Sequence, residues 1–550
     1  MKTENNDRII CSDGAELILL KDRNFEQFEE LEKSLCTDGF GYYDKRTEGD
    51  VVFSTFKKDN HVIYLSYTPS EQYIRKISKE NAILPKKETA PVHKKIAPLI
   101  TQVRNAYFSV DCGMTYVIRV SDGRFILIDG GSGEYEEVDH LWDVLMSQYE
   151  GDDKPVIAAW FITHPHSDHF GGFAKFMDKY GHKVELESIL YNWALESMSQ
   201  PVSASNDLSD FNRIIDTYRD NVKIITPRTG QRYVYADAVF DVLYVCEDLY
   251  PERIPNVNDT SLVMRMELAG RRVLWLGDIQ GQGTDCMCRR FPTETFQCEI
   301  FQVGHHGYNG GSDELHRKAD PKVLLWPCPN FWFPVVRLWE SNDYLIHSPN
   351  IRTTIVSGQA ETVLDMTKPI ADFMPYPRVG EGEVIYEEKF LGERVIDLHW
   401  SCITGGATGY KAAKATLRDG ECYMETTDEE AYTVCEFVQP GQMEQAKDYT
   451  LTISGTLEQG AEKFGLFWNY PTPTIFSEEH VLWLEPEEDG NFIFQLIADW
   501  SEKKARLYLY DEFIDELPYE TCGGLYFVLK HASVTFKHIQ VIRGICNERA

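Results

Sequence analysis

The sequence predicts an α/β protein with a different kind of region at each end, and three observations carry that prediction. Residues 156–162 (VIAAWFI) are an apolar run bounded by Pro155 and Pro165, too short for a helix core, so they read as a buried strand. Behind it Phe173, Phe176, Met177 and Tyr180 fall at helical spacing, and strands go on alternating with helices over residues 98–370. From about residue 384 short strands separated by turn residues take over, with almost no helical periodicity.

In chain order, residues 1–95 read as a small α+β module. Phe25, Phe28, Leu31 and Leu35 share a helical stripe, and 51–56 (VVFSTF) and 62–67 (VIYLSY) read as strands. His61 is expected in a turn, and no chemistry is visible in the module. Residues 84–95 have the Pro and charge content of a linker. The α/β domain is expected over 96–372. In it Val138, Leu141, Trp142, Leu145 and Tyr149 line one helix, with His140 off the stripe, and 184–190 reads as a strand. Leu208, Phe211, Ile214, Ile215 and Tyr218 line the next helix, before strand 222–226. The aromatics Phe331, Trp332, Phe333, Trp339 and Tyr344 read as packing under a long loop, with a pocket wall as the alternative. Residues 374–382 (MPYPRVGEG) punctuate the end. Residues 384–550 are expected to be a β-sandwich built on runs such as 449–454, 464–468, 492–497, 505–510 and 533–536. Trp468, Trp483 and Trp500 are expected in its core, with sugar binding as the alternative.

A chain of 550 residues with 43% hydrophobic residues can build several cores, and no stretch is long and apolar enough to span a membrane. The first residues lack the apolar core of a signal peptide. Thirteen cysteines, scattered and odd in number, form no disulfide framework, so a reducing cytoplasm is the expected location. Cys286 and Cys288 have no second cysteine pair to complete a metal site. Formal net charge is −32, from 87 acidic against 55 basic residues. Nucleic acid is bound by basic surface, and no basic run exceeds Lys86-Lys87 or Lys94-Lys95, so nucleic acid is not an expected partner. A small or sugar-linked anionic substrate is not excluded, because a metal's own charge dominates its site. Oligomeric state is not legible.

The chemistry centres on residues 163–169 (THPHSDH), between the strand end and the helix start. His164, His166, Asp168 and His169 offer imidazole and carboxylate donors within six residues, a set that suits zinc and similar metals. This stretch resembles the metallo-β-lactamase superfamily of hydrolases. The resemblance extends upstream to 114–120 (MTYVIRV) and 125–131 (FILIDGG), and downstream to 261–267 (SLVMRME), 273–278 (VLWLGD) and 301–307 (FQVGHHG). The phrases NDTSL at 258–262 and GHHG at 304–307 are most similar to the competence-type branch, the soluble domain of DNA-uptake proteins. The 389–391 and 532–541 runs resemble the edges of concanavalin-like jelly rolls.

What the resemblance implies is a four-layer αβ/βα sandwich with two divalent metals, zinc first and manganese or iron as alternatives. His164 and His166 would hold one metal, Asp168 and His169 the other, with Asp278 bridging. His305 or His306 would close the second site, since two adjacent imidazoles at a strand end cannot both point the same way. Asp129 would orient a ligand rather than bind metal. Catalysis would fall to Asp168 and Asp278, by hydrolysis with a metal-activated water. The chain departs from the family before the bridging Asp, where 255–260 (PNVNDT) lacks the usual His; Asn258 or Asp259 are the substitutes at hand. The expected substrate is a phosphoester, phosphodiester or other small anionic ester. A nuclease is the first alternative, against which stand the acidic balance and Tyr308, where competence-type relatives usually carry Ser. The second alternative is a non-catalytic metal-binding scaffold with a carbohydrate- or partner-binding sandwich.

Overall fold

A computed structural model describes residues 6–85, 96–104, 113–133, 137–195, 197–199, 205–329, 333–337, 339–358 and 361–373 of the chain, and beyond them 382, 384–388, 400–402, 411–412, 414–418, 420–425, 433–437, 448–458, 463–468, 481–484, 489–499, 501–510, 512–518 and 525–545. Most of the expected linker, Phe331, Trp332, the 374–381 punctuation, the 389–391 run and Trp500 lie outside the described residues. The chain divides into two compact units, the first holding residues 1–328, 336–357 and 361–373, the second everything from Met374 onward with two short earlier pieces.

Two seven-strand paths organise the first unit around the expected α/β pattern. In the first, Lys223–Ile225, Ser188–Tyr191, Val156–Ile162 and Phe125–Ile128 pair in parallel, and Tyr116–Arg119, Leu99–Gln102 and Thr362–Asp365 continue antiparallel. In the second, Arg232–Tyr235, Ala238–Tyr244, Val263–Leu268 and Arg271–Trp275 run antiparallel, and Ile300–Gln302, Val323–Trp326 and Thr353–Val356 add in parallel. One apolar cluster draws Ile118, Ile128 and Phe161 from the first sheet and Met264, Trp275 and Leu325 from the second, so the sheets pack face to face. Along Val156–Ile162 the side chains alternate: Ala159 and Phe161 enter that cluster, while Trp160 and Ile162 enter another with the helices Glu137–Gln148 and Ser167–Tyr180. This is the α/β sandwich architecture of the metallo-β-lactamase kind, and both strand faces being buried explains the unbroken apolar run. Phe170, Phe173 and Phe176 are fully buried, each contributing roughly 1.5–3 kcal/mol that fixes the helix and the ligand loop at its head.

Two strand runs differ from expectation. The 184–190 run divides into Glu185–Leu186 and Ser188–Tyr191. The 261–267 run begins its ladder only at Val263, because Leu262 N donates to Thr163 O (2.9 Å) and Ser261 Oγ accepts from Asp278 N (3.0 Å). Cys286 and Cys288 are buried in the helix Gly281–Arg290.

The N-terminal region is a six-stranded antiparallel sheet with the helix Phe25–Thr37. His61 opens the strand His61–Thr68 instead of lying in a turn, and its Nε2 sits 2.5 Å from Ser78 Oγ. The sheet is clasped to the α/β region by guanidinium groups. Arg228 binds Asp13 (2.7 Å) and Glu247; Arg290 binds Glu71 (3.0 Å) and Asp248 (2.6 Å); Arg265 binds Glu48 (2.8 Å) and Asp241 (3.0 Å). Arg46 reaches the other way to Asp241 (2.7 Å).

From Met374 onward the second unit is all β among the described residues. Seven strands from Lys414–Arg418 to Glu512–Pro518 form one path, and Trp400–Cys402, Thr433–Phe437, Leu525–Lys530, Lys463–Trp468 and Leu482–Leu484 form another. Leu451, Phe494 and Phe536 of the first share a core with Phe464 and Phe527 of the second. No helix among the described residues is long and apolar enough to cross a membrane.

Candidate metal centre

The site forms where one loop from each sheet end meets the other. On the first sheet, Asp129 follows Phe125–Ile128 at φ 55°, fully buried. Its Oδ1 accepts from Thr163 N (2.7 Å), its Oδ2 accepts from Thr163 Oγ1 (2.8 Å), and the same Oδ2 meets His169 Nδ1 at 2.7 Å. One carboxylate therefore holds both ends of the HxHxDH loop. The loop after Asp129 also bonds the helix start, with Gly130 N donating to His169 O (2.7 Å) and Gly172 N to Gly131 O (2.9 Å). A Cβ on Gly172 would collide with the Gly130 carbonyl oxygen, so the Gly171-Gly172 pair is what allows this approach.

On the second sheet, Arg271–Trp275 runs into Gly277 at φ 55°, which turns the chain so that Asp278 faces the first loop. Gln302, fully buried at the end of the next strand, locks that turn: its Oε1 accepts from Leu276 N (2.7 Å) and Gly277 N (2.8 Å), and its Nε2 donates to Gly277 O (3.0 Å). His305 and His306 follow at φ 47° and 53°, two consecutive left-handed residues that turn their rings apart.

Two donor groups result, each with its donor atoms within 4.8 Å of one another: Asp168, His169, Asp278 and His306 in one, His164, His166 and Asp278 in the other. In the larger group, His169 Nε2 and His306 Nε2 lie 3.1 and 3.3 Å from Asp278 Oδ2, and 3.2 Å from each other. Asp168 Oδ2 is 3.3 Å from His306 Nε2. In the smaller, His164 Nε2 is 3.0 Å from His166 Nδ1 and 3.7 Å from Asp278 Oδ2.

The donors suit a metal. His306 Nδ1 donates to Pro327 O (2.6 Å), and His169 Nδ1 is taken by Asp129, so both rings turn their Nε2 atoms into the cluster. Asp278 Oδ1 is buried without a hydrogen-bond partner. A buried carboxylate oxygen with nothing to accept from, among converging imidazoles, suits a cation. Nitrogens at 2.0–2.1 Å from a tetrahedral ion stand about 3.3 Å apart, close to the spacing found here.

Titration follows the same charges. Burial disfavours charge on His169, but Asp278, Asp168 and Asp129 outweigh it and push the ring up to about 10. Burial acts against His306 too, and Asp278 and Asp168 raise it well above its ordinary value. Asp278 is held well below the usual carboxylate range, as His169 and His306 overcome its burial. His164 goes the other way, lowered by burial and by the neighbouring His169.

His305 falls in neither group. Its Nε2 lies 3.0 Å from Asn258 Nδ2, and its Nδ1 is hydrogen-bonded to Tyr308 O. Asp259 is also elsewhere: its Oδ1 accepts from Gln280 N and Gly283 N, both at 3.0 Å, and so caps the helix Gly281–Arg290. Thr163, Ser261 and Gln302 hold the site together without having been singled out as site residues in the sequence. Each lay inside a quoted motif, but a hydroxyl or carboxamide there carries no distinguishing spacing.

Residues 111–325 match the family model described as Metallo-beta-lactamase superfamily. This region of the chain belongs to that superfamily. The superfamily's metal-dependent chemistry agrees with the donor groups, which suit a binuclear site. No curated protein matches the chain. Among solved structures it is similar to CmlA, a diiron β-hydroxylase from Streptomyces venezuelae, at 12% identity over 43% of this chain and 45% of that one, TM-score 0.26. The chain thus spans about half of the CmlA chain. It is similar also to Zn(2+)-bound PqqB from Methylobacterium extorquens, at 12% identity over 46% and 86%, TM-score 0.28. Yeast PDE1 follows at 11% identity over 48% and 98%, TM-score 0.30.

Proposed function

We propose that the chain is a binuclear metal-dependent hydrolase of a small or sugar-linked anionic ester, with a phosphoester or phosphodiester as the first substrate class. The observation that carries this reading is Asp278, shared by two donor groups and left with one buried oxygen unmatched. His164 and His166 hold the first ion, and Asp168, His169 and His306 the second, with Asp278 common to both. Zinc suits the imidazoles, and manganese or iron the carboxylates. Two divalent ions there supply Lewis acidity and bring the ionisation of water toward neutral pH. Asp168, whose side chain is 24% exposed, would be held at Oδ2 by the second ion and would orient the attacking water with its other oxygen. Asp129 fixes the His169 ring by its Nδ1.

Elemental analysis after mild purification, followed by a panel of chromogenic phosphoesters, tests the reading. We expect up to two transition-metal ions per chain and turnover of at least one ester. A chain that takes up no metal, even after remetallation, is not this hydrolase. The same reading keeps 96–372 as the catalytic domain, 1–95 as an accessory module and 384–550 as a separately folding sandwich. Expressed alone, 384–550 should melt cooperatively with β circular dichroism; an aggregated fragment would count against it.

A further inference from the structure

The ladder between Arg271–Trp275 and Ile300–Gln302 ends at the pair Leu274 and Phe301. Beyond it the first strand runs into the turn that carries Asp278, where the N–H groups of Leu276 and Gly277 bond to a side chain rather than to a strand. That side chain is the carboxamide of Gln302, which is 0% exposed. Its Oε1 accepts from Leu276 N (2.7 Å) and Gly277 N (2.8 Å), and its Nε2 donates to Gly277 O (3.0 Å) and Val303 O (2.7 Å). The partners fix which end of the amide is which, since a backbone N–H only donates and a carbonyl only accepts. All four hydrogen-bonding positions of the side chain are therefore used.

The same contacts tie together two segments that the metal centre needs in register. Gly277 O accepts a second hydrogen bond, from His305 N (3.1 Å), and Gly311 N donates to Ile279 O (2.7 Å). The turn bearing Asp278 and the loop bearing His306 are thus joined through backbone groups, with Gln302 between them. On the other side of the turn, Ser261 Oγ accepts from Asp278 N (3.0 Å). Asp278 Oδ2 stands 3.1 Å from His169 Nε2 and 3.3 Å from His306 Nε2, and Asp278 is the donor common to both groups. A methionine of similar shape in place of Gln302 would leave the buried N–H groups of Leu276 and Gly277 without a strong acceptor.

We propose that Gln302 is a positioning residue of the metal centre: it holds the Asp278 turn and the His306 loop as one body, so that both ions meet a shared carboxylate already in place. The assignment rests on the binuclear reading and deepens it. Gln302 acts through Asp278, so its loss weakens both subsites, whereas the loss of a ligand such as His169 empties one. It also accounts for a fully buried carboxamide at the end of a strand whose other residues are Ile300 and Phe301. Burying such a group is tolerated only when its hydrogen bonds are complete.

The test counts ions, not turnover. Metal-free protein is titrated with Co(II), read by visible absorption and by elemental analysis after dialysis, with thermal melting followed in parallel. The wild-type chain should take two ions. Gln302→Met should stay folded, bind both ions on the order of 10–100-fold more weakly, and show an altered Co(II) spectrum. Gln302→Glu, kept neutral by burial, retains the acceptor and one donor and should lie between the two. Gln302→Met with wild-type affinities and spectrum overturns the assignment alone, as does a weakening confined to the second ion. Hydrogen exchange of the metal-free wild-type chain gives a reading that needs no variant. The amides of Leu276 and Gly277 should be protected before any ion is added, and free exchange there until metal binds overturns the assignment as well. A wild-type chain that binds no Co(II) overturns it together with the binuclear reading.

Discussion

At the second subsite, the ring nitrogens turned away from the cluster are tied to protein oxygens, His169 to Asp129 and His306 to the Pro327 carbonyl. At the first, His164 leans on Thr163 Oγ1 at 3.1 Å, while His166 is half-exposed at the start of its helix, which it does not cap. The difference lies in how firmly the imidazoles are held around a shared carboxylate. A ligand whose far nitrogen is engaged by a protein oxygen loses little freedom on binding an ion, which holds for His169, His306 and His164 and makes His166 the adaptable donor.

Asp278→Ala should produce the largest effect, because it removes a donor from both subsites at once: neither ion should survive dialysis, and hydrolysis should be abolished. Full metal loading and activity in that variant, read by elemental analysis and rate together, would place the shared carboxylate wrongly and move the scaffold reading to first place. His169→Ala should strip the second ion and nearly all activity while leaving one ion in the first subsite. Loss of the first ion instead would invert the comparison. Asp129→Asn should leave both ions bindable but weaken the second by roughly 10–100-fold, measured by competition with a chelating dye. Asp259→Ala should have the smallest effect on metal, leaving both ions in place and costing about 1–2 kcal/mol in denaturant unfolding through its lost cap. Metal loss there, with stability unchanged, would make Asp259 a donor to the first subsite.

Much of the site was legible because its donors are sequence-local or end a strand. Four of them sit within residues 164–169, and Asp129 and Asp278 each follow an apolar run that reads as a strand. The choice between His305 and His306 was not legible, since it depends on two consecutive positive φ angles that no spacing encodes. Nor was the Gln302 lock, whose bonds reach 25 and 26 residues back to a turn visible only in three dimensions. The fold was read at the level of alternating elements, but register was not: Ser261 and Leu262 looked like strand and serve the loops. The N-terminal region shows the limit most clearly. Its helix and two of its six strands could be read from the sequence, whereas its clasps join residues as far apart as Glu71 and Arg290, a separation of 219.

Those clasps share one design. Arg228, Arg290 and Arg265 each stand between one carboxylate of the N-terminal sheet and one of the α/β region. Burial acts to raise Asp13, Glu71 and Asp241, and the guanidinium groups outweigh it and hold all three below the ordinary carboxylate range. Their contribution is therefore intact at neutral pH and fades as acid carries the solution down through those depressed values. Lysine, a single point of charge, could not serve two carboxylates in the same way. If the sheet peels away, no bare cation is stranded in the body that carries the metal site: Glu247, Asp248 and Asp241 remain as counter-ions, and the excess negative charge leaves with the sheet. The α/β side of the seam is thus balanced in charge by its own carboxylates.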